Sequence, residues 1–266
     1  MSDNNELEFK ALVDAHVSLY SDIGIDRIQL KSEFAAERAR CWTKSDEVND
    51  IVKWLEYCTD TSGMVVEEIS LAEMINWRID AAGAVMGHIT GDFYEIIGLR
   101  VHTSRTREIS EGWDQPMVKQ VGFNGGVLGL LRKKFKGIPH YLVEAKAEPG
   151  NPNLVQLSPT LQATFANLRQ VHGGTKPNFA EYFEKFAVNE TINTNHELLF
   201  RQWLPEDGGR LYKKFNLGLV LNVNHHDEVH IPDKKRFRWV TLHDLITLTE
   251  KTNWVNPHIR SLICTL

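Results

Sequence analysis

Hydrophobic positions along the chain change their period part-way through. Phe9, Leu12, Val13, Val17 and Tyr20 recur at helical spacing, and so do Val48, Ile51, Val52 and Leu55. Ser45, followed by Asp46 and Glu47, supplies a helix start for the second stripe, and Thr61-Ser62-Gly63 a stop. A further short helix is expected over SLAEMINW, opened by Glu68 or Ser70 and ending near Trp77. From residue 84 the pattern shifts to β-branched and aromatic residues broken by glycine. Residues 84–102 predict two strands and a turn. GVLGLLRKKF, Lys136-Gly137 and IPHYLVEAKA predict a β-hairpin with Lys-Gly at its turn.

Pro159 and Thr160 predict a helix over residues 159–169, ended by Gly173-Gly174, and another short helix covers 179–186. Strands are expected at 211–215, 217–223 and 236–240. Thr241 then caps a helix, LHDLITLTEK, and Asn256-Pro257 starts a last one as N-cap and N1. The sum is an α+β chain. A helical extension over residues 1–66 precedes a domain over 67–266, built on a mixed, largely antiparallel sheet flanked by helices.

Composition narrows the function more than the fold. The 266 residues are 42% hydrophobic and 24% charged, ordinary for a globular protein able to bury a core without disulfides. The net charge is −5 and the lysines and arginines are dispersed, which argues against a nucleic-acid face. Three scattered cysteines suit a reducing compartment. The opening MSDNNELEFKALVDAH is acidic where a secretory leader would be basic and then apolar, and no apolar run reaches membrane-spanning length. A cytoplasmic protein with no membrane partner is expected.

Familiar cofactor signatures are missing. There is no GxGxxG, no GxxxxGK[ST] and no GxSxG, so neither a nicotinamide nor ATP is expected as a cofactor. His225, His226, Asp227 and His230 crowd one stretch, but their spacing fits no helical or hairpin ligand set, and a solvated loop before Pro232 is expected, with no metal.

Residues 144–167 differ from the rest. Glu144, Lys146 and Glu148 alternate, so a strand there turns all three to one side, which is unfavourable unless that side meets water or a ligand. Pro149-Gly150-Asn151-Pro152 breaks the strand. Gln156, Ser158, Thr160, Gln162, Thr164 and Asn167 follow, a run of neutral hydrogen-bonding groups suited to sugar hydroxyls or a base, or equally to a polar loop that satisfies its own amides.

AKAEPGNPN, VQLSPTLQAT and FANLRQVHGG resemble the signature stretch of the NDP-hexose 2,3-dehydratases. Trp113-Asp114-Gln115-Pro116 is similar to the family's W-x-QP segment, and GGVLGLL to its glycine-punctuated strand. Glu206, Gly208, Arg210, Lys214 and Asn216 match its EQG…R…K-x-N region. FRWVTLHDL, and Val255-Asn256 with Arg260, resemble its C-terminal words. The similarity runs from about Ile69 onward. Departures are Glu206-Asp207-Gly208 for EQG, Pro257-His258 where the family has an M-D pair, and one module where family members carry two in tandem.

The resemblance implies a Nudix-like fold without the Nudix box, the helix from Pro159 standing where the Nudix helix would be. It implies loss of water across C2 and C3 of a dTDP-linked 4-keto-6-deoxy sugar, without metal or redox cofactor. A homodimer is expected to complete the site. In that frame Glu148 is the base, Lys146 stabilises the enolate oxygen, and His88 is the alternative acid or base. Trp113 stacks on the thymine beside Gln115. Glu144, Asn151 and the run from Gln156 to Asn167 contact the substrate, and Arg210, Lys214 and Arg260 face the diphosphate. The single module leaves open a non-catalytic nucleotide-sugar-binding protein or a related isomerase.

Overall fold

The computed structural model describes residues 3–18, 25–43, 47–102, 111–122, 125–170, 173–187, 196–224, 226–264 and 266. Helices α1 (Asp3–Ser18), α2 (Ile25–Ala39) and α3 (Glu47–Asp60) come first, as the helical spacing predicts; Tyr20 and the Ser45-Asp46 start lie outside the described residues. Residues before and after position 66 pack together. Ile51, Leu55 and Cys58 of α3, with Phe34 of α2, belong to the same core as the sheet. α2 is further tied down by buried charge: Arg132 pairs with Glu33 at 2.6 Å and Glu37 at 2.7 Å, and the Tyr141 hydroxyl donates to Glu37 at 2.7 Å.

The expected helix over SLAEMINW is only a 3-10 turn, Leu71–Glu73. Its start signal is real, since Ser70 and Glu73 form a capping box. Ile69, Leu71 and Ile75 are exposed, however, so no packed face sustains further turns. Trp77 already belongs to a strand. β1 (Trp77–Ile79), β2 (Val85–His88), β3 (Tyr94–Val101) and β4 (Trp113–Gln120) form an antiparallel meander in that order. β4 docks on the second sheet through Val118, whose N–H donates to Arg210 O at 2.9 Å and whose carbonyl accepts from Tyr212 N at 2.8 Å.

The larger sheet is built around the predicted hairpin, β5 (Gly126–Phe135) and β6 (Ile138–Ala147). Lys136 and Gly137 both have positive φ, +49° and +76°, as a two-residue turn of matching twist requires. β9 (Glu197–Pro205) pairs antiparallel with β10 (Phe215–Asn222), and β10 runs parallel to β5. β11 (Phe237–Val240) closes the other side on β6, giving the order β11-β6-β5-β10-β9. The strand expected at 211–215 is a single bridge at Leu211 and a turn, with Lys213 at φ +51°. Leu128, Leu130, Val143 and Val220 face α3, α6 (Leu242–Lys251) and α7 (Pro257–Ile263). Val127, Leu131, Leu142 and Leu219 face Phe179 and α5 (Ala180–Ala187). Gly129 is required there: a Cβ on it would stand 2.6 Å from the Phe183 ring. A mixed sheet between helical layers is the α+β architecture the sequence leads to.

The helix expected from Pro159 is the main correction. Residues 155–164 are strand, β7 (Val155–Pro159) and β8 (Leu161–Thr164), and helix begins only at α4 (Phe165–Leu168), capped by Thr164. The reason lies in the hairpin. β5 and β6 pair from Leu131↔Leu142 to the turn and then diverge. β7 pairs with the freed part of β6, and β8 with the freed part of β5. The two make a V whose tip, Thr160, sits in the fork. Its hydroxyl accepts from Leu131 N at 3.0 Å and donates to the Leu142 carbonyl. Val155, Leu157, Leu161 and Ala163 alternate into the core, a period of two that outweighs the Pro-Thr helix signal. Residues 254–256 add to the open side of β7, with Leu157 N donating to Trp254 O at 2.7 Å.

Candidate active site

Ionisable side chains from separate segments meet where β6 ends, β10 starts and α7 starts. Lys146 lies on β6 and Glu148 just beyond it. Glu206 and Lys214 flank the β9–β10 connection, with their backbones bonded at 3.0 Å, and Asn216 follows on β10. His258 occupies the first turn of α7, placed by the Asn256 cap and Pro257.

Amides hold these groups in order. Gln162 Nε2 donates to Glu148 Oε1 at 3.0 Å, and Lys146 Nζ to the Gln162 carbonyl at 3.2 Å. Asn256 Nδ2 bridges the arms of the V, donating to Ser158 Oγ at 2.7 Å and to Gln162 Oε1 at 3.3 Å. Asn216 Nδ2 donates to Glu206 Oε1. A Cβ on Gly126 would come within 3.1 Å of Asn216 Oδ1 and 2.6 Å of Ala163 O, so glycine is what lets this corner close.

His258 Nδ1 stands 3.7 Å from Glu206 Oε1, with both side chains mostly buried. Burial pulls His258 below the ordinary histidine pKa. The Glu206 and Glu148 carboxylates oppose that shift, and the Lys146 and Lys214 ammoniums add to it. Burial likewise lowers Lys214 from the ordinary lysine value, against the pull of Glu206. Lys214 Nζ donates to Gln120 Oε1 at 2.6 Å.

Lys214 also lines a cleft of about 810 Å³ between the two sheets. Its small-sheet wall is aromatic: Trp77 and Tyr94 have ring centroids 4.8 Å apart, and His88 meets Trp77 and Phe93 edge-on at 5.7 and 5.1 Å. Asn167 and Arg169 line the opposite side. The size and the mixture of aromatic wall and few convergent polar groups suit a small-molecule site.

A family model for NDP-hexose 2,3-dehydratase matches residues 48–266. The chain belongs to that family. It is 33% identical over 221 residues to a dTDP-4-dehydro-6-deoxy-alpha-D-glucopyranose 2,3-dehydratase of Amycolatopsis orientalis, covering 82% of this chain and 44% of the relative. A relative of the same name from Saccharopolyspora spinosa is 32% identical over 210 residues, covering 79% and 40%. The chain thus spans under half the length of the curated relatives it matches. Among solved structures, a C. elegans Ap4A hydrolase aligns at 13% identity and a TM-score of 0.32, over 53% of this chain and 92% of that one.

Within this member of the family the predicted site residues divide. Lys146, Glu148, Gln162 and Lys214 come together at the sheet end, and His88, Thr164 and Asn167 line the cleft. Glu144 is in an ion pair with Arg236 beside a smaller cavity that Lys146 also lines; burial raises its pKa. Asn151 donates to the Lys146 carbonyl at 3.2 Å, Gln156 to the Asn253 carbonyl at 2.9 Å, and Ser158 and Thr160 bond inside the V. Trp113 donates to Gln115 at 2.6 Å, and Gln115 to Gly209 O at 2.9 Å, at the start of β4 rather than at the cleft. Arg210 pairs with Asp207 at 2.7 Å on the surface, and Arg260 donates to Val255 O at 3.0 Å.

Sequence reasoning passed over Trp77, Tyr94 and His258 as site residues and used Glu206, Asn216 and Asn256 only as family words. A signal existed for these three, since Glu206 and Asn216 sit in the matched EQG…K-x-N region and Asn256 in the C-terminal Val-Asn word. His225 lies outside the described residues. Nearby, the Asp227 carbonyl accepts from Lys133 Nζ at 2.5 Å. Among the described residues no group of three or more His, Cys, Asp and Glu side chains could hold a metal ion, and no helix is long and apolar enough to cross a membrane.

Proposed function

We propose that this chain is a 2,3-dehydratase acting on a dTDP-linked 4-keto-6-deoxyhexose. The observation that carries the reading is the meeting of Glu148, Lys146, Lys214, Glu206 and His258 beside an aromatic-walled cleft. The C4 ketone acidifies the C3 proton. Glu148 removes it, and Lys146 offsets the negative charge that develops on the C4 oxygen. The electrons then form C2=C3 as the C2 hydroxyl departs, and the resulting enol becomes a 3,4-diketone. The elimination is redox-neutral overall, so it needs no external electron acceptor. Trp77 and Tyr94 offer a stacking wall for the base, with Lys214 and Arg169 near the phosphates. His88 is the remaining acid–base candidate on that wall; Trp113, Arg210 and Arg260 would meet substrate only outside this cleft.

The working unit in this reading is a cytoplasmic homodimer. Support comes from the matched relatives' greater length and from the exposed Ile79 and Ile89 of the small sheet, apolar surface that a second copy could cover. Incubation with dTDP-4-keto-6-deoxyglucose in deuterated water, followed by NMR and mass spectrometry, tests the activity. Loss of water is expected. Deuterium uptake at C3 without loss of water would make the protein an isomerase, and binding alone would make it a carrier module. Sedimentation velocity tests the dimer.

A further inference from the structure

An elimination needs two proton transfers, and Glu148 accounts for one. The leaving C2 hydroxyl must gain a proton as its bond breaks, or hydroxide would have to depart into a partly buried site. Lys146 and Lys214 are cations with other hydrogen-bond duties, to the Gln162 carbonyl and to Gln120. Glu206 accepts from Asn216. His258 is left as the one imidazole among them, facing Glu206, Glu148, Lys146 and Lys214. Its Nδ1 is turned to Glu206, while Nε2 makes no hydrogen bond among the described residues.

We infer that His258 is the general acid of the dehydration, giving its Nε2 proton to the departing C2 oxygen, and that Glu206, 3.7 Å from Nδ1, is the positioning residue whose carboxylate favours the imidazolium. This assignment rests on the dehydratase reading above. Glu148 takes the C3 proton as the C3–H electrons move to C3=C4–O⁻. The C4 carbonyl then re-forms, those electrons make C2=C3, and the C2–O bond breaks with the His258 proton arriving on oxygen. Water leaves, Glu148 is protonated and His258 neutral. One proton passing from Glu148 to His258 through water restores the starting pair. The chemistry suits the surroundings. An imidazolium in a desolvated pocket is a stronger acid than one in water, and the carboxylates on two sides keep the protonated form accessible.

His258→Gln separates the two halves of the reaction. Wild type is measured first with dTDP-4-keto-6-deoxyglucose in deuterated water. A wild-type chain that binds but releases no water overturns the dehydratase reading, and this assignment with it, before any variant is made. Given an active wild type, His258→Gln is expected to lose at least about a hundredfold in water release while still exchanging the C3 proton for deuterium. Water release within a few-fold of wild type would remove His258 as the acid. Parallel loss of exchange and water release would also remove it, because it would place the residue at the C3 step or in the scaffold. Glu206→Gln retains an acceptor for Asn216 and removes only the charge. It is expected to move the alkaline limb of the kcat/KM profile to lower pH, since a carboxylate that favours the imidazolium is gone. An unmoved limb overturns the positioning role, and this second variant decides the matter if His258→Gln does not fold.

Discussion

Two polar regions lie side by side in this molecule and are built on opposite terms. In the β7–β8 V, each polar side chain in the fork has its partner within the protein: Thr160 bridges two backbone groups, Ser158 accepts from Asn256, and Gln156 reaches a carbonyl. At the sheet end, Glu148, Glu206 and His258 are brought within each other's fields with fewer hydrogen bonds to satisfy them. The V holds strands apart, whereas the cluster has bonding capacity left for something else. A dense run of polar residues along a chain therefore marks backbone that must be satisfied as readily as it marks a ligand.

That contrast predicts that variants of the two regions fail in different assays. Glu148→Gln should have the largest effect, roughly a thousandfold or more in kcat, with melting temperature and dTDP affinity near wild type. The glutamine can still accept from Gln162, so the fold has no reason to change. An active Glu148→Gln protein would break the comparison at its strongest point. Thr160→Val should do the reverse. Valine matches the shape but leaves Leu131 N–H and the Leu142 carbonyl unpaired in the core, a loss of about 2–4 kcal/mol in denaturant unfolding. Molecules that remain folded should turn over normally. If they lose turnover without losing stability, the V is part of the chemistry.

The large-scale fold was legible where one element dominated its own sequence. The hairpin was, because alternation and a Lys-Gly turn agree, and so were the Thr241 and Asn256 caps. The V was not, because Pro159-Thr160 is locally a good helix start and only the divergence of β5 and β6 makes it a strand corner. β9 and β4 were missed for another reason: ELLFRQWLP and WDQPMVKQ are half-exposed edge strands without a clean alternation of buried and exposed positions. The candidate site was half legible. Lys146, Glu148 and Gln162 could be read from one stretch. His258 and Glu206 meet only in space, across 52 residues of sequence, and Trp77 was hidden inside an apparent helix.

A smaller effect tests whether the cluster and the cleft are one site. Lys214 belongs to both, lining the cleft and facing Glu206 and His258. Lys214→Met should weaken dTDP binding roughly tenfold in calorimetry, the size of one charge-assisted hydrogen bond. Because burial lowers the Lys214 pKa, wild-type affinity should fall as pH rises while still below the ordinary lysine value of 10.5, and the variant should not share that fall. Equal affinities and equal pH profiles would separate the cleft from the cluster.

The smallest signal bears on desolvation itself. His258 has a lower pKa folded than unfolded, with burial the principal cause. Between the folded value and the ordinary 6.5, the unfolded chain binds more protons than the folded one, so this group makes stability rise with pH through that window and adds no slope above it. Glutamine does not titrate. The unfolding free energy of wild type minus that of His258→Gln should therefore be flat above about pH 6.5 and shrink as the solution is made more acid. Other titrating groups cancel in the difference, provided that their surroundings are unchanged. A difference that stays flat in acid would mean that His258 is as hydrated as a surface histidine. A difference that grows in acid would mean that the carboxylates outweigh burial, so that the cluster stabilises charge as thoroughly as the V satisfies its backbone, and the contrast between the two regions would vanish.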